Sequence, residues 1–169
     1  MTRVGYDASI VETVQSNLLL KKILGKLLFF IISIGKLIYF KKYELKILAN
    51  NKVYLANWVI ITNAKHYGGS FQLTRDNNIF EKKLITYLFI NLSRFDVIKN
   101  LLKILKKQNL EENNKVIKII SDDIFINSKS KVPIQCDGEF IGNLPLQIKN
   151  TKRTINLLVK DELNVQADQ

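Results

Sequence analysis

Two carboxylates, Asp137 and Glu139, stand on either side of Gly138 in the stretch VPIQCDGEFIGNLP at residues 132–145. Paired carboxylates can hold a metal ion or take a proton, because each disfavours ionisation of the other until a cation or a substrate proton relieves the repulsion. Such a pair is unexpected in a chain of 169 residues with a formal net charge of +11. It is therefore the first candidate for a functional site.

The residue pattern around Gly138 leaves two local structures open. Asp-Gly is a strong hairpin signal, so a surface turn with solvated acids is one interpretation. A turn would place Cys136 opposite Glu139, however, which mixes apolar and polar residues in a way that strand register normally avoids. Apolar and polar residues alternate with period two through the glycine, which favours a continuing strand at 132–140 with Asp137 and Glu139 side by side. The apolar face of that strand would carry Val132, Ile134, Cys136, Gly138 and Phe140.

Composition indicates one folded domain with an anionic partner. The chain is 47% hydrophobic and 9% aromatic, which suffices for a substantial core at this length. The single cysteine, Cys136, excludes an internal disulfide framework and a cysteine-based zinc site, so a reducing, cytoplasmic setting is expected. The basic charge points to nucleic acid, a phosphorylated substrate or an acidic membrane surface, and charge alone does not choose among them.

The N-terminal third is predicted to be helical. Residues 18–40 are strongly apolar, but their longest uncharged run, between Lys26 and Lys36, is shorter than the roughly 20 residues that span a bilayer. At about 100° per residue the lysines fall on one side of a helix and leave a wide apolar face for the core. These lysines are Lys21, Lys22, Lys26 and Lys36. The pattern predicts one amphipathic helix, with Asp7 or Ser9 as its N-terminal cap.

The remainder of the chain is dominated by short runs rich in β-branched and aromatic residues, which predict strands. The predicted strands are 53–62, 84–91, 115–121, 124–127, 132–140, 144–148 and 154–159. We therefore expect a mainly β fold with helices: a β-sandwich at 43–160, a helical segment before it at 8–42 and a frayed tail at 161–169.

One helix is predicted inside the sandwich, at residues 94–110. Its apolar arc consists of Val97, Ile98, Leu101, Leu102, Ile104 and Leu105, and its basic arc of Lys99, Lys103, Lys106 and Lys107. The pattern is typical of a surface helix with a solvated basic face, which could also approach anionic lipid. Elsewhere the sequence contains no Walker A, G-x-G-x-x-G, C-x-x-C or nucleophile-elbow motif, and His66 has no evident metal or triad partners.

Three segments in fixed order carry a family resemblance. They are VGYDA at 4–8, NAKHYGGSFQL at 63–73, and QCDGE at 135–139 followed by Gly142 and the Leu-Pro pair at 144–145. Together they resemble the C-terminal domain of the diacylglycerol kinase catalytic family, which includes bacterial lipid kinases and sphingosine kinases. The resemblance implies a β-sandwich that packs on an N-terminal α/β domain, with the active site in the cleft between them.

The resemblance also implies where ATP binds. In the family, a GGDGT-type motif of the N-terminal domain holds ATP, and no such motif occurs in these 169 residues. The family's C-terminal domain normally has one or two strands before the segment matched by residues 4–8. The chain is thus expected to be a truncated half, which leaves its ATP-binding residues unassigned.

The resemblance implies a catalytic role for the D-G-E segment. Glu139 matches the family's proton acceptor and Asp137 its partner. A carboxylate at this position would orient a lipid hydroxyl and take its proton as the oxygen attacks the γ-phosphorus of ATP, while Mg²⁺ and basic groups neutralise the phosphates. This implication agrees with the pairing of the two acids in the predicted strand.

A magnesium site is the second feature that the resemblance implies. It would fall on the Asp76 carboxylate and on the backbone carbonyls of Leu73 and Asn78, and ligation by oxygen alone suits Mg²⁺. The sequence departs from the family here, because Arg75-Asp76-Asn77 replaces the usual Pro-Asp-Ala. A guanidinium beside the site would repel a cation.

Three functions compete on this basis. The first is the acceptor-side half of an ATP-dependent lipid kinase, inactive alone, which acts on a diacylglycerol-like lipid at an anionic membrane surface and needs a separate N-terminal half. The second is a non-catalytic truncated fragment with peripheral membrane affinity. For either function the expected location is the cytoplasm, with peripheral contact to the inner membrane face. The third, a nucleic-acid-binding domain, is disfavoured because the lysines lie mainly on helix faces and no aromatic RNP-like motif is present. Unpaired sheet edges also allow a homo-oligomer.

Overall fold

Two antiparallel sheets and four helices form the protein in a computed structural model that describes residues 1–63, 66–67, 71–72, 83–106 and 113–151. The strands are β1 Thr2–Val4, β2 Leu45–Ala49, β3 Lys52–Ala56, β4 Trp58–Thr62, β5 His66–Tyr67, β6 Phe71–Gln72, β7 Ile85–Phe89, β8 Val116–Ile120, β9 Asp123–Asn127, β10 Pro133–Cys136, β11 Glu139–Asn143 and β12 Leu146–Lys149. The helices are α1 Tyr6–Gln15, α2 Leu18–Leu24, α3 Lys26–Ile38 and α4 Arg94–Leu105. The predicted mainly β class is confirmed.

The strands are arranged in a six-stranded sheet and a four-stranded sheet. The larger sheet has the order β11-β10-β1-β4-β7-β8 and the smaller one β12-β9-β2-β3, while β5 and β6 form a separate pair. Every strand pair is antiparallel, so each face of a sheet receives alternate residues. The three-residue strand β1 lies between β10 and β4 and joins the hairpin β10–β11 to the centre of the larger sheet.

The six-stranded sheet is covered on both faces. Strand β4 shows this most clearly, because Val59 and Ile61 belong to a core between the two sheets, while Trp58 and Ile60 face the helices. All five residues of β4 are buried. Burying one large aliphatic or aromatic side chain contributes roughly 1.5–3 kcal/mol, so this doubly covered strand is central to stability. The helix-side core consists of Tyr6, Ile10, Val14, Leu28, Trp58, Ile60, Ile85, Tyr87, Phe89, Leu92, Val97 and Val116.

The predicted strand 53–62 is two strands that belong to different sheets. The break falls at Asn57, whose side-chain amide donates a hydrogen bond to the Tyr43 carbonyl and whose Oδ1 accepts one from the Leu92 amide. The Asn57 backbone amide also donates to the carbonyl of Phe89. One polar residue thus satisfies backbone groups of two segments where the chain passes from one sheet to the other.

The other predicted strands have mixed outcomes. Those at 84–91, 115–121, 124–127 and 144–148 correspond to β7, β8, β9 and β12, whereas 154–159 and the tail 161–169 lie outside the described residues. Strands β1 and β2 were not predicted. The first has only three residues, too few for a periodic pattern to be recognised.

The N-terminal helical region contains three helices, so the prediction of one helix at 18–40 was wrong. The chain breaks at Gly25, which has a φ of +51° that is incompatible with a continuing helix. The apolar and basic pattern runs through Gly25 unchanged and gives no sign of this break. Neither Asp7 nor Ser9 is a cap, because both lie inside α1, which follows Gly5 without a side-chain cap. Within the described residues, no helix is long and apolar enough to cross a membrane.

Gly5 occupies a position that no other residue fits without strain. Its φ is +103°, and a Cβ built there would lie 2.8 Å from the backbone oxygen of Asn57. We expect Gly5→Ala to destabilise the protein by more than about 1 kcal/mol in urea unfolding, because both the backbone angle and the contact oppose a side chain. Gly35→Ala is the matched control, since nothing lies within 4 Å of its Cβ position inside α3. The control is expected to stabilise by about 0.5–1 kcal/mol, and equal effects of the two changes would contradict the account.

Helix α4 begins with a reciprocal cap. The Asp96 Oδ2 accepts hydrogen bonds from the backbone amide and the hydroxyl of Ser93, and the Ser93 hydroxyl accepts one from the Asp96 amide. Lys115 donates to the same Oδ2 at 2.7 Å. The hydrogen bond from Lys115, followed by those from Ser93, holds the pKa of Asp96 well below its ordinary value. The carboxylate therefore ties the start of α4 to the residue that precedes β8.

Removal of the Asp96 carboxylate should lower the free energy of unfolding by an amount that depends on pH. Because the folded state lowers the pKa of Asp96, its stabilisation is present above the unfolded pKa and is lost as the pH falls through the folded pKa. We expect Asp96→Ala to cost about 1–2 kcal/mol at neutral pH, and the difference from wild type to shrink below about pH 4. Urea unfolding at several pH values measures this. The exposed Glu44→Ala serves as control, and a pH-independent loss for the Asp96 variant would refute the role.

Candidate functional site

The segment with the two acids is a β-hairpin. Strands β10 and β11 pair antiparallel, with Cys136 opposite Glu139, and Asp137-Gly138 forms the two-residue turn between them. Both turn residues have positive φ, +49° for Asp137 and +91° for Gly138, as a type I′ turn requires. The prediction of a continuing strand at 132–140 was therefore wrong, and the Asp-Gly hairpin signal was the correct one.

A buried glutamine explains why this register is tolerated. Gln135 lies opposite Phe140 in the hairpin and is fully buried, although it is polar. Its Oε1 accepts a hydrogen bond of 2.9 Å from the Gly138 amide, so the turn satisfies the side-chain oxygen, whereas the buried Nε2 has no partner among the described residues. Alternation of apolar and polar residues places Gln135 on the polar face and does not indicate that the Gly138 amide bonds to its side-chain oxygen.

Asp137 is a turn residue with an exposed carboxylate. Its side chain is 77% exposed, its Oδ1 lies 2.6 Å from the Met1 amino group, and its backbone amide donates to the Met1 carbonyl. The hydrogen bond from the amino group is the main reason that the pKa of Asp137 lies below its ordinary value, and partial burial opposes the shift. The carboxylate is therefore held in its charged form.

Glu139 is the first residue of β11 and is exposed. Among the residues that the structure describes, no hydrogen bond or ion pair engages its carboxylate. The two acids thus differ in their surroundings: Asp137 is tied to the neighbouring strand, whereas Glu139 is available to a molecule that approaches the end of the hairpin. The prediction that the two acids project side by side from one face of a strand was therefore wrong.

Helix α1 holds the hairpin from the other side. The Gln15 Oε1 at the end of α1 accepts a hydrogen bond of 3.0 Å from the Phe140 amide, next to Glu139. Sequence reasoning missed Gln15 and the structural role of Gln135. Their only signal is that each is a polar residue with an amide side chain in an otherwise packed element, which does not indicate a partner 125 residues away in the case of Gln15.

Asp7 anchors α1 to the larger sheet. Its Oδ2 receives a hydrogen bond of 3.0 Å from the Arg3 guanidinium, and its Oδ1 receives one of 2.9 Å from the Trp58 indole. The carboxylate is buried, so both partners are needed to offset its desolvation. This network explains why an acid stands in the segment VGYDA. It fixes the strand β1 and the helix α1, the two elements that contact the hairpin.

The predicted magnesium ligands are not in this hairpin. Leu73, Asp76 and Asn78 lie outside the described residues, as does Arg75. In the described ranges, no cluster of three or more His, Cys, Asp and Glu side chains is placed to hold a metal ion. The described residues therefore do not supply the donor set that the resemblance implies, and the magnesium site stays a prediction.

Comparison with known proteins places the chain in a family. Residues 1–159 match the family model described as "YegS C-terminal NAD kinase beta sandwich-like domain". A protein of Staphylococcus carnosus (strain TM300), described as a "Putative lipid kinase", is 26% identical over 155 residues, which cover 89% of this chain and 49% of that protein. The chain thus spans about half the length of this relative.

Solved structures share the fold. A crystal structure described as "a putative diacylglycerol kinase from Bacillus anthracis str. Sterne" has a TM-score of 0.55 and 20% identity, and the match covers 70% of this chain and 39% of that one. A second structure of the same description has a TM-score of 0.54 and 19% identity, with coverage of 70% and 41%. The resemblance to the C-terminal domain of the diacylglycerol kinase family is confirmed. Because the family model matches residues 1–159, the chain belongs to the family of YegS C-terminal, NAD kinase beta sandwich-like domains.

Proposed function

We propose that this chain forms the lipid-acceptor side of an ATP-dependent lipid kinase and that the hairpin β10–β11 presents the proton acceptor. The observation that carries the proposal is the Glu139 carboxylate, which is exposed directly after a two-residue turn and unengaged by the described residues. A general base must be within hydrogen-bond reach of the proton that it takes, so an unengaged carboxylate at an exposed position suits this role.

Glu139 would take the proton of a lipid hydroxyl. As the hydroxyl oxygen bonds to the γ-phosphorus of ATP, the bond to the bridging oxygen breaks and ADP leaves, while the proton passes to the Glu139 carboxylate. Mg²⁺, when bound, would neutralise part of the negative charge on the phosphates. In this proposal Asp137 is a positioning residue, because it adopts the left-handed conformation that turns the chain toward Glu139.

Positioning of the carboxylate depends on the backbone of β11. Gln15 binds the Phe140 amide on one side, and Gln135 binds the Gly138 amide on the other. Glu139 is thus flanked by two backbone amides that buried or half-buried side chains hold in place. Such support favours a fixed orientation of the base toward an acceptor, which is how positioning lowers a reaction barrier.

Binding of ATP is assigned to a nucleotide-binding half outside these 169 residues, because the sequence contains no GGDGT-type motif. The relative from Staphylococcus carnosus extends over about twice the matched length. In this proposal its remaining half is the nucleotide-binding partner. The lipid acceptor is proposed to be diacylglycerol-like, because the similar Bacillus anthracis structures are described as a putative diacylglycerol kinase.

The test is transfer of label from [γ-³²P]ATP to lipid. The chain would be mixed with, and separately fused to, the nucleotide-binding half of the Staphylococcus carnosus relative, and offered diacylglycerol, sphingosine or phosphatidylglycerol in mixed micelles. We expect labelled product with diacylglycerol only when both halves are present. Lack of label on every lipid, from a fusion that is folded and binds ATP, would contradict the proposal and leave the chain a non-catalytic domain.

A further inference from the structure

A cavity of about 440 Å³ lies between α1 and α3. Its wall is formed by one side of α1, by the C-terminal half of α3 and by the segment that leads from α3 to β2. No residue of the hairpin β10–β11 is among the described residues that line this space, so it is separate from Glu139. A volume of this size is in the range of small-molecule sites, which are mostly apolar and carry a few polar groups. We call this space the α1–α3 cavity.

The hydroxyl groups of the α1 wall are already bonded within the protein. The Ser9 hydroxyl donates to the Tyr6 carbonyl at 2.6 Å, and the Thr13 hydroxyl donates to the Ser9 carbonyl at 2.9 Å. The Tyr6 hydroxyl donates to the Ser33 carbonyl at 3.1 Å. Helix α3 contributes the side chain of Ile32 to the wall. Because the hydroxyl protons are engaged, this wall suits the apolar body of a ligand better than a polar one.

Two lysines, Lys36 and Lys41, also line the cavity. In the part of the chain that the structure describes, neither ammonium group forms an ion pair or a hydrogen bond. The Lys41 Nζ lies 5.3 Å from the centroid of the Tyr43 ring, which keeps this charge beside the cavity. The sequence has no acid between Glu12 and Glu44, and neither of these two lines the cavity. Two ammonium groups without a neighbouring acid favour an anionic ligand over a neutral or cationic one.

We infer that the α1–α3 cavity binds one molecule of a single-chain amphiphilic anion, an alkyl chain that ends in a carboxylate or a phosphate. The chain would lie against Ile32 and the tyrosine rings, and the head group would accept hydrogen bonds from Lys36 and Lys41. Hydrogen bonds between two charged groups are stronger than neutral ones, so the lysines would discriminate against an uncharged chain. This inference goes beyond the proposed function, because the proposed acceptor is a neutral lipid and the cavity is separate from Glu139.

Gly35 gives access to the α3 side of the cavity. It lies inside α3 and lines the cavity, and nothing lies within 4 Å of the position that its Cβ would take. A glycine inside a helix is less favourable than a residue with a side chain such as leucine. A leucine at this position would therefore favour the helix and at the same time occupy space that the alkyl chain needs. Binding and stability are expected to change in opposite directions in Gly35→Leu.

Calorimetric titration of the full chain with decanoate, decyl phosphate and decanol, each below the concentration at which it aggregates, tests the inference. We expect at least one of the two anions to bind with one molecule per chain and at least about tenfold tighter than decanol. The tighter of the two anions identifies the head group as a carboxylate or a phosphate. Absence of binding by both anions, or equal affinity for decanol, would overturn the inference. Because neither ATP nor a nucleotide-binding half is present, this failure would be distinct from failure of the proposed function.

Three variants locate the binding site. Gly35→Leu is expected to lower the affinity for the anion at least about tenfold, and urea unfolding checks that the variant is at least as stable as wild type. Lys36→Gln/Lys41→Gln is expected to lower it by about tenfold or more as well, because the head group loses both charged donors. The control Lys46→Gln/Lys52→Gln removes two exposed lysines of the smaller sheet and should leave the affinity within about twofold of wild type. Unchanged binding by Gly35→Leu, or equal losses in the two lysine variants, would place the anion outside the cavity and refute the inference.

Discussion

Glu139→Gln is expected to lower phosphoryl transfer to diacylglycerol by about 10²- to 10⁴-fold, the usual contribution of a general base. Glutamine keeps the size of the side chain and its ability to hydrogen-bond the acceptor hydroxyl, but it cannot take the proton. The loss should therefore appear in kcat, with little change in KM for the lipid. Initial rates with the chain fused to a nucleotide-binding half measure both constants.

Asp137→Asn is the matched comparison for this result. Asparagine accepts the left-handed conformation that Asp137 adopts at φ +49°, so the turn should survive. We expect this variant to lose less than about tenfold in kcat, because Asp137 positions the strand rather than taking the proton. A Glu139 variant with rates within about threefold of wild type, or a larger loss for Asp137→Asn than for Glu139→Gln, would show that the roles are assigned wrongly.

Asp7→Ala should cause the largest loss of stability, about 3–5 kcal/mol in urea unfolding. The change removes the acceptor of both the Arg3 guanidinium and the fully buried Trp58 indole. It leaves a half-buried cation and a buried N–H without the partner that they have in the folded protein, and removal of one member of such a network is strongly destabilising. A loss of this size is a large fraction of the free energy of unfolding of a typical domain.

Asp7→Asn separates the charge from the hydrogen bond. The amide oxygen can still accept from the Trp58 indole, whereas the ionic contact with Arg3 is lost. We expect Asp7→Asn to lower the free energy of unfolding by less than Asp7→Ala does. If Asp7→Ala does not fold, Asp7→Asn provides the measurement. An alanine variant that costs less than about 1 kcal/mol would mean that the Asp7 network does not anchor α1.

The fold class was predictable because the strands carry dense β-branched and aromatic runs, but their division between sheets was not. Strands β3 and β4 form one apolar run in sequence that Asn57 interrupts, and only the hydrogen bonds of Asn57 show where the chain leaves one sheet for the other. A single polar residue in a long run is also found in ordinary strands. Periodicity therefore predicts that a segment is extended without predicting which sheet it joins.

The hairpin shows how two local signals can conflict. The alternation of apolar and polar residues favoured one strand, and the Asp-Gly pair favoured a turn. The turn is the observed structure because Gln135, counted as an outward polar residue, is buried and bonded to the turn amide. A pattern assigns residues to a shared face but does not say whether a polar side chain on that face finds a partner.

The helices also show that a sequence pattern does not indicate which apolar residues become buried. The lysine spacing predicted an amphipathic surface, and Lys21 and Lys22 of α2 are exposed. The pattern could not predict that α3 would expose residues such as Phe30 and Ile34, because a helix apolar on all sides has no preferred face in sequence. For the site, the motif predicted Asp137 and Glu139, while Gln15 could be found only from the folded chain.

Photolabelling tests most directly the central claim that the β10–β11 hairpin lies at the lipid acceptor. A diacylglycerol analogue with a diazirine next to its free hydroxyl would be irradiated with the chain and a nucleotide-binding half, and the labelled peptides identified by mass spectrometry. The account predicts label within residues 135–143, next to Glu139, and its loss when excess unlabelled diacylglycerol competes. Label confined to other parts of the chain, or label in the hairpin that diacylglycerol does not displace, would contradict the claim.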